Sequence, residues 1–164
     1  MDVTYVSKKK SGLLAIVRIR SSIDQPQDIK HGLKLLNLTR PNHAVVVPND
    51  STHKGMLQKL KDTITWGEIN KATLAELIKK RARIKGNKKL NAKFLKERKF
   101  ESTSAFVTAL LEGKADMRHI DDLKPMFRLH PPRKGFKSVK NPITRGGDLG
   151  YRGEEINTLL EKMM

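Results

Sequence analysis

Between Leu13 and Arg20 the chain reads LLAIVRIR. Side chains alternate along a strand, so Leu13, Ala15, Val17 and Ile19 share one face and Leu14, Ile16, Arg18 and Arg20 the other. The first face is wholly apolar. The second passes from apolar to basic, which predicts partial cover followed by an open cationic end. A helix is expected next, entered through Asp24 and Pro26, with Ile29, Leu33 and Leu36 at helical spacing. HAVVV (43–47) predicts a second strand, stopped by Pro48. Asp50 or Ser51 is placed to cap a second helix that turns Met56, Leu57 and Leu60 inward. TITWGEI (63–69) predicts a third strand with Ile64 and Trp66 on one side. The order β-α-β-α-β, with both helices on one sheet face, predicts an α+β, ferredoxin-like layer. Its other face is left for RNA or for the rest of the chain.

Beyond residue 69 the pattern is helical. NKATLAELIKKR has the form of a capping box at Thr73 and Glu76, followed by an apolar stripe of Leu74, Leu77 and Ile78. STSAFVTALLEG (102–113) predicts a short helix closed by Gly113, DMRHIDDL a shorter one stopped before Pro125, and MFRLH a short strand. The chain ends in RGEEINTLLEKMM, where Ile156, Leu159, Leu160 and Met163 make one face of a helix, and Glu154 and Glu155 lie at its positive end. These elements divide the chain into an N-terminal segment (1–11), a ferredoxin-like core (12–69), a basic helical extension (70–129) and a Gly/Pro-rich basic segment with a terminal helix (130–164).

Charge sharpens this picture. The 164 residues hold 34 Lys and Arg against 17 Asp and Glu, a net charge of +17. Self-repulsion on that scale opposes compaction and is usually relieved by a polyanion. Residues 70–100 carry 12 basic and 2 acidic residues, so the charge is concentrated in a cationic arm or face. Lys79, Lys80, Arg81, Arg83, Lys85, Lys88 and Lys89 are its core. No long apolar run or signal-peptide pattern is present, which argues against a membrane. With no cysteine, thiolate zinc sites, disulfides and cysteine catalysis are excluded. A soluble intracellular protein is expected.

TRGGDLGYRG (144–153) has the look of a phosphate loop, yet it lacks the Lys and Ser/Thr that a Walker loop needs. No buried strand precedes it, as a dinucleotide loop would require. His31, His43, His53, His119 and His130 are scattered without metal-ligand spacing, and the adjacent Asp121 and Asp122 would diverge on a helix. No cofactor, small-molecule substrate or catalytic residue is expected. Residues 130–153 hold six Lys/Arg, three Pro and five Gly. So little apolar surface does not offset the entropy of ordering, and the segment is expected to need a partner surface. Arg133, Lys134, Lys137, Arg145 and Arg152 would contact phosphates, while Gly146 and Gly147 let the backbone approach.

No helix-turn-helix, zinc finger or aromatic RNA-recognition sheet is evident, so backbone and shape recognition of folded RNA fits best. A ribosomal constituent and a non-ribosomal RNA chaperone or RNA–protein assembly factor share that physics.

LLAIVRIR, LKLLNLTRPNHAVVVPN, HKGMLQKLKDTITWGEI and the final GGDLGYRGEEINTLLEKMM together resemble the L-thirty family of large-subunit ribosomal proteins, in its long archaeal and eukaryotic form. The most specific parts are Gly55-Met56-Leu57 with Trp66-Gly67-Glu68, and the GGDxGxR…IN tail. The likeness runs from about Gly12 to the C-terminus; residues 1–11 match nothing in it. It implies the ferredoxin-like core, no catalysis, a place in the cytoplasmic large ribosomal subunit, and contact with neighbouring ribosomal proteins. It also implies binding to large-subunit rRNA close to the 5S rRNA. By matching positions it points to Arg18, Arg20, Arg40, Asn42, Pro132, Arg133, Gly146, Gly147, Asp148, Gly150 and Arg152. Packing explains Gly55, Met56 and Trp66 better than RNA contact does, and Arg18 and Arg20 have ion pairing with nearby carboxylates as an alternative.

Overall fold

The computed structural model describes residues 12–98 and 100–164; the expectations for residues 1–11 and Lys99 lie outside the described residues. Strands β1 (Leu13–Arg18), β2 (His43–Pro48), β3 (Ile64–Glu68), β4 (Met126–Arg128) and β5 (Gly150–Tyr151) form one sheet in the order β4-β2-β1-β3-β5. β1 is antiparallel to β2 and β3, β2 is antiparallel to β4, and β5 runs parallel to β3. Helices α1 (Gln27–Leu35) and α2 (Ser51–Lys59) are the two crossovers of the expected β-α-β-α-β core. Asp50 caps α2 by accepting the His53 N–H at 2.8 Å.

Both sheet faces are covered. Leu14, Ile16, Val45, Val47, Ile64 and Trp66 pack under Leu33 and Leu36 of the α1 region and Leu57 and Leu60 of the α2 region. On the opposite face Ala15, Val17, Ala44 and Val46 meet residues of α3 (Lys71–Arg81), α5 (Thr103–Leu111) and α6 (Ile156–Met163). The face left open by the sequence reading is thus taken by the chain's own extension. Leu74, Leu77 and Ile78, the stripe expected on α3, are buried there with Phe106, Phe127 and Leu160.

Several local expectations are corrected. α3 is capped one turn before Thr73: Asn70 accepts the Thr73 N–H at 2.7 Å, and Glu76 instead pairs with Lys80 one turn on. The basic stretch after α3 is folded against the body. Arg83 bridges Lys89, Ile84 bridges Leu123, and α4 (Ala92–Glu97) buries Phe94 and Leu95. The expected helix over DMRHIDDL is a single 3-10 turn, Met117–His119. β5 was not foreseen: it follows a glycine-rich loop and is too short to show alternation. A glycine is required opposite it at Gly67, where a Cβ would lie 1.9 Å from the Gly153 carbonyl oxygen. Packing does not account for Gly55, whose Cβ position faces open space. Met56 and Trp66 do pack as expected.

Asn157 ties the last helix to the sheet. Its Nδ2 donates to the Glu68 and Glu154 carbonyls at 3.0 and 2.8 Å, and its Oδ1 accepts the Asn70 N–H at 3.0 Å. Because α3 is part of the core, Leu77→Ala should cost about 2–5 kcal/mol of unfolding free energy. Urea denaturation checks this; a loss below about 0.5 kcal/mol, the scale of a surface substitution, would contradict the packing described.

Candidate nucleic-acid interface

Topology brings distant basic residues to one end of the sheet. β1 ends at Arg18, opposite the start of β3 at Ile64, and β2 begins at His43, opposite the end of β4 at Arg128. α3 leaves the far end of β3 and runs back; its 11 residues span about 16 Å, the length of a five-residue strand. α6 returns in the same sense after β5. Hydrogen bonds close this end as a chain of contacts. The Asn42 N–H donates to the Arg18 carbonyl at 2.8 Å, and the Leu129 N–H to the Asn42 carbonyl at 3.0 Å. The His130 N–H reaches Met163 O at 3.0 Å and the Arg133 N–H reaches Lys162 O at 3.1 Å, while the Arg81 guanidinium donates to the Met164 carbonyl. Arg18, Arg20, Arg40, Asn42, Arg81, Arg128 and Arg133 therefore converge, although they come from four separate stretches.

These residues fall into two groups. Arg18 is only 2 % exposed, which corrects the expectation of an open cationic end at its position. Its Nη1 donates to Leu38 O at 2.6 Å and its Nε to Arg20 O at 2.9 Å. Carbonyls, not carboxylates, are its partners, and Arg20 likewise reaches only the Asp62 carbonyl, at 3.4 Å. Asn42 sits at φ 62° with both backbone groups bonded inside. By contrast Arg40, Arg128 and Arg133 are exposed, and among the described residues none of them forms a salt bridge. Arg128 was not singled out from the sequence; the outward position of the strand MFRLH was the available signal.

His43 records the potential of this end. It is 6 % exposed, and its pKa is pushed below the ordinary 6.5, first by burial and then by the charges of Arg128, Arg40 and Arg18.

The loop after α3 presents Lys85, Lys88 and Lys89 around Gly86 and Asn87, which take φ 76° and 62° and turn the chain sharply. All five residues are exposed. Lys85 lies 3.8 Å from Asp122, too exposed a pair to neutralise it, and Lys80 is shared with Glu76. Lys79 is exposed, and Arg83 turns inward to the Lys80 and Ala82 carbonyls.

Residues 130–153 are tied to the protein itself. Asp148, 4 % exposed, accepts the Lys137 N–H at 2.5 Å and the Ser138 N–H at 3.3 Å, and it pairs with Arg152 at 2.5 Å. Arg152 also donates to the Thr65 hydroxyl at 3.4 Å, and its N–H to the Trp66 carbonyl at 2.8 Å. A Cβ on Gly147 would lie 1.9 Å from the Asn141 carbonyl oxygen, so close approach to protein backbone fixes this glycine. Gly146, at φ 75°, ends the turn Ile143–Arg145 and is open to solvent. Pro132, Arg133, Lys134, Lys137, Asp148 and Arg152 line one cleft beside α6, so the structure unites most of the site residues expected in this segment. Arg145, Gly146, Gly147 and Gly150 do not line it. The sequence reading counted apolar area and did not include a buried carboxylate that organises the backbone.

Among the described residues no three His, Asp or Glu side chains converge to hold a metal, and no helix is long and apolar enough to cross a membrane. The site offers cations and backbone groups for a polyanion.

Known proteins resemble this chain over most of its length. A family model described as ribosomal protein L30p/L7e matches residues 14–64. A protein of Archaeoglobus fulgidus named large ribosomal subunit protein uL30 is 48 % identical over 152 residues, covering 92 % of this chain and 99 % of that protein. Proteins of the same name from Staphylothermus marinus and Nanoarchaeum equitans are 49 % and 47 % identical, covering 93 % and 90 % of this chain and 98 % and 96 % of theirs.

Two outcomes follow from the geometry. Asp148→Ala leaves the half-buried Arg152 without its carboxylate and two N–H groups without their acceptor, so it should destabilise the free protein by about 3–5 kcal/mol in thermal or urea unfolding. An unchanged melting temperature would contradict the anchoring role. For His43 the folded pKa lies below the unfolded one, so its contribution to stability is present above about pH 6.5 and is lost as pH falls through the folded value. Unfolding free energy measured across this acid range should fall less steeply in His43→Gln than in the parent protein.

Proposed function

The chain belongs to the ribosomal protein L30p/L7e family, and we propose that it is a structural constituent of the cytoplasmic large ribosomal subunit whose cationic end grips folded large-subunit rRNA close to the 5S rRNA. The relatives' shared name, large ribosomal subunit protein, supports the ribosomal role, and the family is structural and non-enzymatic. One observation carries the RNA reading: exposed Arg40, Arg128 and Arg133 meet at one end of the sheet with no carboxylate pairing them among the described residues. Phosphates would supply the missing counter-charge, releasing their own counterions.

The contacts divide by what each side chain is free to do. Arg20, Arg40, Lys79, Lys80, Lys85, Lys88, Lys89, Lys134, Lys137 and Arg145 are the direct phosphate contacts, joined by Arg128 and Arg133. Gly146 leaves room for close approach, its N–H being held by the Ile143 carbonyl. Arg18, Asn42, Arg81, Arg83, Gly147 and Arg152 hold the frame, since their groups are engaged within the protein. Neighbouring ribosomal proteins are the further partners. The 5S vicinity rests on the sequence resemblance set out above.

The absence of cysteine makes the test specific. Lys88→Cys carrying a tethered iron chelate, assembled into large subunits, should cleave large-subunit rRNA beside the 5S RNA. Cleavage confined to distant rRNA would reject that location, and failure to co-sediment stoichiometrically with large subunits would favour a non-ribosomal RNA chaperone. In isolated rRNA binding, changing Lys85, Lys88 and Lys89 together to Gln should flatten the slope of log K against log salt by about 2 to 3, at roughly 0.7–0.9 per phosphate. An unchanged slope would remove this loop from the interface.

A further inference from the structure

Among the described residues, a corner of the sheet is left uncovered. Trp66 of β3 and Tyr151 of β5 are register partners and so project to the same face, the one covered by α1 and α2. Trp66 is buried, but β5 is the edge strand, and Tyr151 is 57 % exposed. Its ring is nevertheless held. The hydroxyl lies 2.8 and 2.9 Å from the two oxygens of Glu68, and the ring stands 6.3 Å from Trp66 at 50°. The bond to Glu68 is also the first cause that raises the hydroxyl's pKa, so the phenol keeps its proton. Lys54 and Gln58, one turn apart on α2, complete a shallow recess with Leu14, Trp66 and Glu68.

We propose that this recess is a nucleobase subsite: an unpaired base of the bound RNA stacks on the Tyr151 ring, with Gln58 at the base edge and Lys54 at its phosphate. The proposal rests on the RNA-binding function above and adds to it a place where a base, and not only backbone, is met. A fixed, exposed aromatic ring is a stacking platform already organised for any base, because every base has a π-face. The flanking groups favour RNA over a protein partner. A protein hot spot would set the ring within an apolar patch that excludes water, whereas here exposed Lys54 and Gln58 border it together with the Glu68 carboxylate, which is occupied by the Tyr151 hydroxyl. No aromatic RNA-recognition sheet is implied; this is a single ring at an edge.

Trp66 is the only tryptophan of the chain and lies beside the ring, so its fluorescence reports on the recess. The full-length protein is titrated with a short end-labelled oligoadenylate and with an abasic strand of equal length. Anisotropy follows total binding, and tryptophan emission follows the subsite. Oligoadenylate should quench Trp66 and the abasic strand should not. Tyr151→Ala, shown by thermal melting to remain folded, should lose the quench and bind oligoadenylate about tenfold more weakly, the scale of one lost base stack. Tyr151→Phe keeps the ring and should stay within about twofold. If Tyr151→Ala binds and quenches like the parent, the subsite is wrong while RNA binding at the cationic end stands. If neither strand binds by anisotropy, the subsite is wrong, and only failure of folded large-subunit rRNA to bind in a parallel titration would also overturn the function it rests on. If Tyr151→Ala leaves both titrations unchanged but prevents assembly into subunits, the ring serves a protein neighbour, and the proposal is overturned.

Discussion

Strand β1 lies between β2 and β3 and is apolar on both faces, so neither face of the sheet can be left to water or to a polyanion. Much of the rest follows from this constraint. One face is closed locally, by the two crossover helices. The other has to be closed by whatever follows β3, and α3, α5 and α6 do so with Leu74, Leu77, Phe106, Val107, Ile156 and Leu160. Since both faces are spent on the core, the sites left for RNA are the ends of the sheet and its edges. At one end the strand and helix termini gather their arginines.

Gathering like charge is costly, and the structure divides the cations between two tasks. Arg18 and Arg81 are held by carbonyls, and Arg152 by Asp148 and the Thr65 hydroxyl, so each cements a junction between segments distant in the chain. The exposed cations around them remain for a ligand. The depressed pKa of His43 has burial as its first cause and this crowding as its second: a proton there would be taken out of water and would add to three guanidinium charges. The internal arginines thus serve as cross-links, and Arg40, Arg128 and Arg133, free of carboxylates among the described residues, lie on the outer rim.

The parts legible in the sequence were those with a period. β1 to β3, α1, α2, α5 and the stripes of α3 and α6 follow from alternation and helical spacing, because the side chains that set those periods are the ones now buried. Features set by a single tertiary contact were not legible. A two-residue strand such as β5 has no period. The need for glycine at Gly147 comes from the Asn141 carbonyl, and nothing near it in sequence announces that approach. Arg18 reads as an exposed cation because the Leu38 carbonyl that receives it lies 20 residues away. In the same way Asp148, one acid in a basic stretch, organises a segment whose composition alone suggested disorder. Among the site residues, sequence identified the basic stretches but not which side chains are free to act outward.

The central claim is that this cationic end is built by the protein itself, before any RNA is bound. Amide hydrogen exchange on the free protein tests it most directly, comparing residues 132–152 with the strands β1 and β3. The amides of Ser138, Gly147, Asp148, Leu149 and Arg152, which donate to groups within the protein, should exchange with protection comparable to that of β3. Free exchange of these amides, with β1 and β3 still protected, would contradict the account and return this segment to an RNA-dependent fold.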